Sequence, residues 1–85
     1  MQIIYLAPAL KSLRRLDAQV RIRIEQKMIA YAANPDAFAN SVTRLQGQGL
    51  RRLRVGDYRV IFTEDGVILT VHQVGPRGSV YRSLS

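Results

Sequence analysis

Eighty-five residues with thirteen Lys+Arg against six Asp+Glu, a net charge of +7 and 47% hydrophobic content make one globular domain over residues 1–85. The chain is too short for a second core and too apolar for disorder along its whole length. Zero cysteines and one histidine exclude disulfides and thiolate sites and leave almost nothing for zinc, so neither a metal site nor a cofactor is expected. No apolar run reaches the roughly 18–20 residues of a membrane span. MQIIYLAPAL lacks the basic start of a signal peptide, which makes a soluble cytoplasmic protein without membrane contact the expectation.

Ile3-Ile4-Tyr5-Leu6 reads as a short first strand, ended by Pro8. Leu10, Leu13 and Leu16 then recur at three-residue spacing, as in a helix beginning near Pro8, where proline is tolerated. Asp17 has the position of an N-cap for a second helix. The run VRIRI (Val20 to Ile24) alternates like a strand, but Val20, Ile24, Met28 and Tyr31 fall within about 80° on a helical wheel. With no breaker before Asn34-Pro35, the stretch is expected to be helical. Ile22 and Ile29 form a second apolar stripe on the opposite side, expected to complete the core, with a partner-binding surface as the alternative.

Residues 34–49 read mostly as a connecting loop around Pro35, Gly47 and Gly49. From Leu50 the hydrophobic period becomes two. Strands are expected near 50–55, 58–63 and 67–74, with tight turns at Gly56-Asp57 and Asp65-Gly66 and a short piece near Val80-Tyr81. The order β-α-α-β-β-β implies an α+β fold, an antiparallel sheet packed against two N-terminal helices.

Eleven of the thirteen basic residues are arginine. A planar guanidinium binds phosphate bidentately and stacks on bases, so this charge points to an acidic protein or a nucleic acid. LRRLRVGDYRVIF (Leu50 to Phe62) places four arginines on two neighbouring strands. Two-residue turns would set Arg54 opposite Arg59 and Arg59 opposite His72, with Arg52, Ile61 and Thr70 in the next row. Leu53, Val60, Val71, Phe62 and Leu69 would then take the other face and cover the helices, leaving Arg51 at the margin of that face. Like charges directly opposed destabilise a sheet, and an anion bound between Arg54 and Arg59 would offset that cost.

These residues carry a resemblance. LRRLRVGDYRVIF, an acidic turn, an apolar strand and VGPRGSVYR (Val74 to Arg82) together resemble the RelE/ParE superfamily of bacterial toxin–antitoxin modules over nearly the whole chain. RelE-like members are ribosome-dependent mRNA endonucleases. The resemblance implies cleavage of codons in the ribosomal A site without metal, and inhibition by an antitoxin. By position, Arg59 matches the arginine that grips the scissile phosphate, and Arg77 the one that stabilises the transition state or protonates the leaving oxygen. Tyr81 matches the tyrosine that stacks on a base or assists proton transfer. Arg52 and Arg54 occupy the strand where RelE itself has lysines, and with His72 form the candidate RNA-binding set. The implied partners are an acidic antitoxin, the ribosome and mRNA, with a heterotetramer assembled through the antitoxin.

Attack of a 2′-OH on the neighbouring phosphorus builds charge on the equatorial oxygens, which pre-positioned guanidinium groups stabilise. Two departures from the family pattern matter. An arginine cannot be an ordinary general base, so that role would fall to Tyr81, His72 or the ribosome's own RNA. Pro76 stands where many relatives carry His, Lys or Arg, which removes one candidate side chain. The alternative within the superfamily is a ParE-like toxin that inhibits DNA gyrase by protein binding.

Overall fold

The computed structural model describes residues 1–46 and 49–76. Five strands and two α-helices are laid out in the order β1 (Gln2–Tyr5), α1 (Ala7–Arg15), α2 (Ala18–Ala33), β2 (Val42–Arg44), β3 (Arg51–Val55), β4 (Tyr58–Glu64) and β5 (Ile68–Pro76), with a 3-10 helix over Pro35–Ser41. The sheet order is β1-β5-β4-β3-β2. The helices lie on one face, so the α+β class and the helical pair agree with the expectation from sequence.

Local chemistry sets the helix limits. Pro8 sits in the first turn of α1, and Arg14 and Arg15 lie in its last turn, where they oppose the negative end of the helix dipole. Asp17 caps α2, its side chain accepting from the Gln19 amide at 3.1 Å. Asn34 and then Pro35 end the helix. Ile24, Met28 and Tyr31 are buried and Val20 packs against them, as the helical wheel requires. Ile22 and Ile29 do not complete the core: they are 48% and 61% exposed. Two helices on one face of a small sheet need a single apolar stripe from α2, and the second stripe faces outward.

The core joins Ala9, Leu13, Ile24, Met28 and Tyr31 to Leu53, Val55, Val60, Phe62, Leu69, Val71 and Val74. The Tyr31 ring meets Phe62 edge-on at 5.1 Å between centroids, a favoured aromatic geometry. This contact also orients α2. Tyr31, near its end, packs on Phe62, which pairs with Arg51 at the start of β3, so α2 runs against β3.

Two features of the sheet differ from expectation. Val42–Arg44 forms an edge strand where a loop was expected, pairing Thr43 with Arg52 and Val42 with Leu53. Also, β1 joins β5 in parallel, Gln2 beside Ile68 and Tyr5 beside Val71, so the sheet is mixed rather than antiparallel. Tight-turn signals fix direction only between strands that a hairpin connects. A parallel pair needs a long crossover, which the helices and the other strands supply here.

The β3–β4 register is the expected one: Val55 pairs with Tyr58 and Arg54 with Arg59, around Gly56 at φ +59°. The β4–β5 register is not. Glu64 pairs with Leu69 and Phe62 with Val71, then a bulge shifts the ladder so that Ile61 meets Gln73 and Arg59 meets Gly75. At the turn, Asp65 Oδ1 accepts from the amides of Val67 and Ile68, both at 2.8 Å. The turn residues are therefore Gly66, at φ +89°, and Val67.

Candidate nucleic-acid interface

Side-chain alternation sends Leu53, Val60, Phe62, Leu69, Val71 and Val74 to the helices and leaves Arg52, Arg54, Arg59, Thr63, Thr70 and Gln73 on the other face. Arg54 and Arg59 stand directly opposite each other there. Arg59 is fixed by its own hairpin: Nη1 donates to the carbonyl oxygens of Tyr58 at 3.1 Å and Gly56 at 3.5 Å. Arg52 is in the next row and donates from Nη2 to Thr43 Oγ1 at 3.3 Å, a partner that sequence reasoning missed because Thr43 lies on the unexpected strand. Among the described residues neither Arg54 nor Arg59 meets a carboxylate.

His72 is not beside Arg59. It is the extra residue of the β5 bulge, and its Nε2 shares a hydrogen bond of 2.9 Å with Thr63 Oγ1. Thr63 lies four residues along β4 from Arg59, about 13 Å at strand rise. The structure thus brings Arg52, Arg54 and Arg59 together, while His72 lies mid-way along β5 with its ring bonded to Thr63. Arg77 and Tyr81, and the short piece expected near Val80, lie outside the described residues. Pro76, opposite Tyr58, brings the end of β5 to the arginine end of the sheet.

Charge on the helix side is arranged differently. Arg51, at the margin of the core face as expected, donates from Nη1 to Glu64 Oε1 at 2.7 Å. The cleft around this pair also gathers Tyr31, Asp36 and Arg44. Burial first, and the neighbouring Glu64 carboxylate second, push the Tyr31 hydroxyl up to about 12. Two arginines and two carboxylates balance in this cleft, so it offers an anion little. The Arg54–Arg59 row has no such balance. Opposed guanidinium groups, one of them pre-fixed, are suited to hold the non-bridging oxygens of a phosphodiester.

A family model described as the ParE toxin of the type II toxin–antitoxin system parDE matches residues 3–81. The chain belongs to the ParE toxin family. A sequence search of curated proteins finds no match. Among solved structures, the archaeal RelE–RelB complex from Pyrococcus horikoshii OT3 is similar at a TM-score of 0.76 and 25% identity, covering 92% of this chain and 96% of that one. The intact RelBE toxin–antitoxin complex of E. coli is similar at 0.68 and 26%, covering 88% and 94%. YafQ from E. coli strain BL21(DE3) shares the fold at 0.75 and 19%, covering 94% and 97%. This ParE-family chain is thus a RelE/ParE-superfamily toxin with the RelE-like α+β architecture.

Proposed function

We propose that this toxin is a ribosome-dependent mRNA endonuclease that cleaves A-site codons and so inhibits translation. The observation that carries the reading is the Arg54–Arg59 pair, opposed on the face that the core does not use. The reaction needs no metal because the nucleophile belongs to the substrate. The ribose 2′-oxygen attacks phosphorus, the bond to the 5′-oxygen breaks, and the products are a 2′,3′-cyclic phosphate and a 5′-OH. Arg59, held by the Tyr58 and Gly56 carbonyls, takes the scissile phosphate. Arg52 and Arg54 bind the adjoining backbone. In keeping with the family resemblance, Arg77 neutralises the developing charge or protonates the leaving oxygen, and Tyr81 stacks on a base or moves a proton. His72, whose ring bonds Thr63 and is not paired with Arg59, would meet a neighbouring nucleotide, which leaves Tyr81 or ribosomal RNA to take the 2′-OH proton.

The test is primer extension on a translated mRNA, with purified toxin and with or without ribosomes. Cuts within codons that require ribosomes, and that Arg59→Ala abolishes, are the expected result. The match to the ParE family model favours a second reading, inhibition of DNA gyrase by protein binding. Intact mRNA together with blocked DNA supercoiling would establish it in place of the first.

The P. horikoshii and E. coli relatives were solved as complexes of RelE with RelB. The same arrangement here pairs the toxin with an acidic antitoxin in the cytoplasm, in a complex that becomes a heterotetramer through the antitoxin. A chain of charge +7 repels its own copy and attracts an acidic segment. Such a segment would cover the arginine face, the exposed Ile22 and Ile29 of α2, or both. A complex in which the antitoxin touches neither would refute this.

A further inference from the structure

One cation outside the sheet converges on the same place. Arg23 lies in the second turn of α2, next to the buried Ile24, and because α2 runs against β3 its side chain reaches the tip of the β3–β4 hairpin. Its Nη1 is 3.9 Å from the position a Gly56 Cβ would occupy. Arg59 Nη1 approaches the same residue at its carbonyl oxygen, 3.5 Å away. Gly56 is therefore flanked by two guanidinium groups, one from the helix layer and one from the sheet, with Arg54 directly across the ladder from Arg59.

This convergence is not explained by internal pairing. Among the described residues the Arg23 side chain forms no ion pair or hydrogen bond, and neither does that of the exposed Asp57 beside Gly56. Lys27, one turn further along α2, differs: its Nζ lies over the Phe38 ring, 5.2 Å from the centroid, and is directed away from the hairpin tip. Three cations around one hairpin end disfavour one another. A polyanion that passes over the tip relieves all three repulsions, whereas one confined to the sheet face relieves only that between Arg54 and Arg59.

We propose that Arg23 is a phosphate-binding residue of this interface: the RNA strand held at Arg54 and Arg59 continues over Gly56, and a further phosphate along it is taken by Arg23. The interface then spans both layers of the fold. This rests on the RNA-binding reading of the arginine face. The test is fluorescence anisotropy with a single-stranded, fully 2′-O-methylated RNA oligonucleotide, which cannot be cleaved, titrated with the full chain over a range of salt. Each lost contact to a single-strand phosphate lowers the slope of log affinity against log salt by about 0.7. Arg23→Gln and Arg59→Gln should each lower it by that amount, while Lys11→Gln, on exposed α1 surface, should not. Thermal unfolding by circular dichroism checks that each variant is folded. If Arg59→Gln lowers the slope and Arg23→Gln behaves like Lys11→Gln, the Arg23 assignment is overturned and the arginine face stands. If neither arginine variant differs from Lys11→Gln, the arginine face itself does not bind RNA, and both readings fall.

Discussion

Replacing Arg54 by Gln should make the free toxin more stable and a poorer ligand for RNA. Arg54 is exposed and stands directly across the ladder from Arg59. Arg59 cannot swing away without giving up its bonds to the Tyr58 and Gly56 carbonyls, so Arg54 alone is free to splay. Two unit charges about 7 Å apart in water repel by about 0.6 kcal/mol. That is within the range of roughly 0.2–1 kcal/mol measured for cross-strand pairs. For a domain of this size it corresponds to a rise in Tm of about 2–5 °C. The assay is thermal unfolding of wild type and Arg54→Gln at about 0.1 M and about 1 M salt, where the Debye length falls from about 10 Å to about 3 Å. The gain should be present at low salt and mostly gone at high salt. A gain that persists undiminished at high salt, or a loss of stability at low salt, would refute the electrostatic account of this pair.

Three further outcomes follow from local geometry. The Tyr31 hydroxyl, ordinarily at 10.0, is raised to about 12 in the fold, so the folded state holds its proton more tightly than the unfolded chain. The stability this contributes is complete below pH 10 and is lost as pH rises toward 12, a decline that Tyr31→Phe should remove in alkaline unfolding curves. Gly56 has φ +59° and room for a Cβ, with its nearest contact at 3.9 Å. Gly56→Ala should therefore cost about 1 kcal/mol through backbone strain alone, read as a shift in denaturant midpoint without a change of slope. The Ile68 and Val67 amides hold the Asp65 carboxyl below its usual range, so its contribution is present above the unfolded value and lost on acidification through the lower folded one. Asp65→Ala should destabilise the protein at neutral pH and narrow its difference from wild type in acid.

The parts of the fold legible in the sequence are those written in local chemistry. Asp17 as a cap, Pro8 in a first turn, and Ile24, Met28 and Tyr31 on one helical side each depend on neighbours within a few residues. Gly56-Asp57 gave the β3–β4 register for the same reason, and with it the juxtaposition of Arg54 and Arg59. Asp65-Gly66 misled because two turns fit that dipeptide. As found, the aspartate carboxylate caps the turn from outside instead of occupying its tip. The parallel pairing of β1, the three-residue β2 and the outward Ile22 and Ile29 are consequences of tertiary packing, for which no local signal exists. The position of Arg23 was hidden similarly, since it depends on the direction in which α2 crosses β3.

The bulge at His72 has a consequence for the phase of β5. Had the pairing of Phe62 with Val71 continued unbroken, Val60 would face Gln73 and Arg59 would face Val74, setting a polar side chain in the core and an apolar one over the arginine. One supernumerary residue advances the strand by a single step, so that Val74 is buried and Arg59 stands opposite Gly75. The only residue type without a side chain thus stands opposite the fixed guanidinium on its β5 side. Deleting the codon for His72 would remove the extra residue yet keep Val60 opposite Val74 and Arg59 opposite Gly75, so the bulge can be removed without moving any arginine of the face.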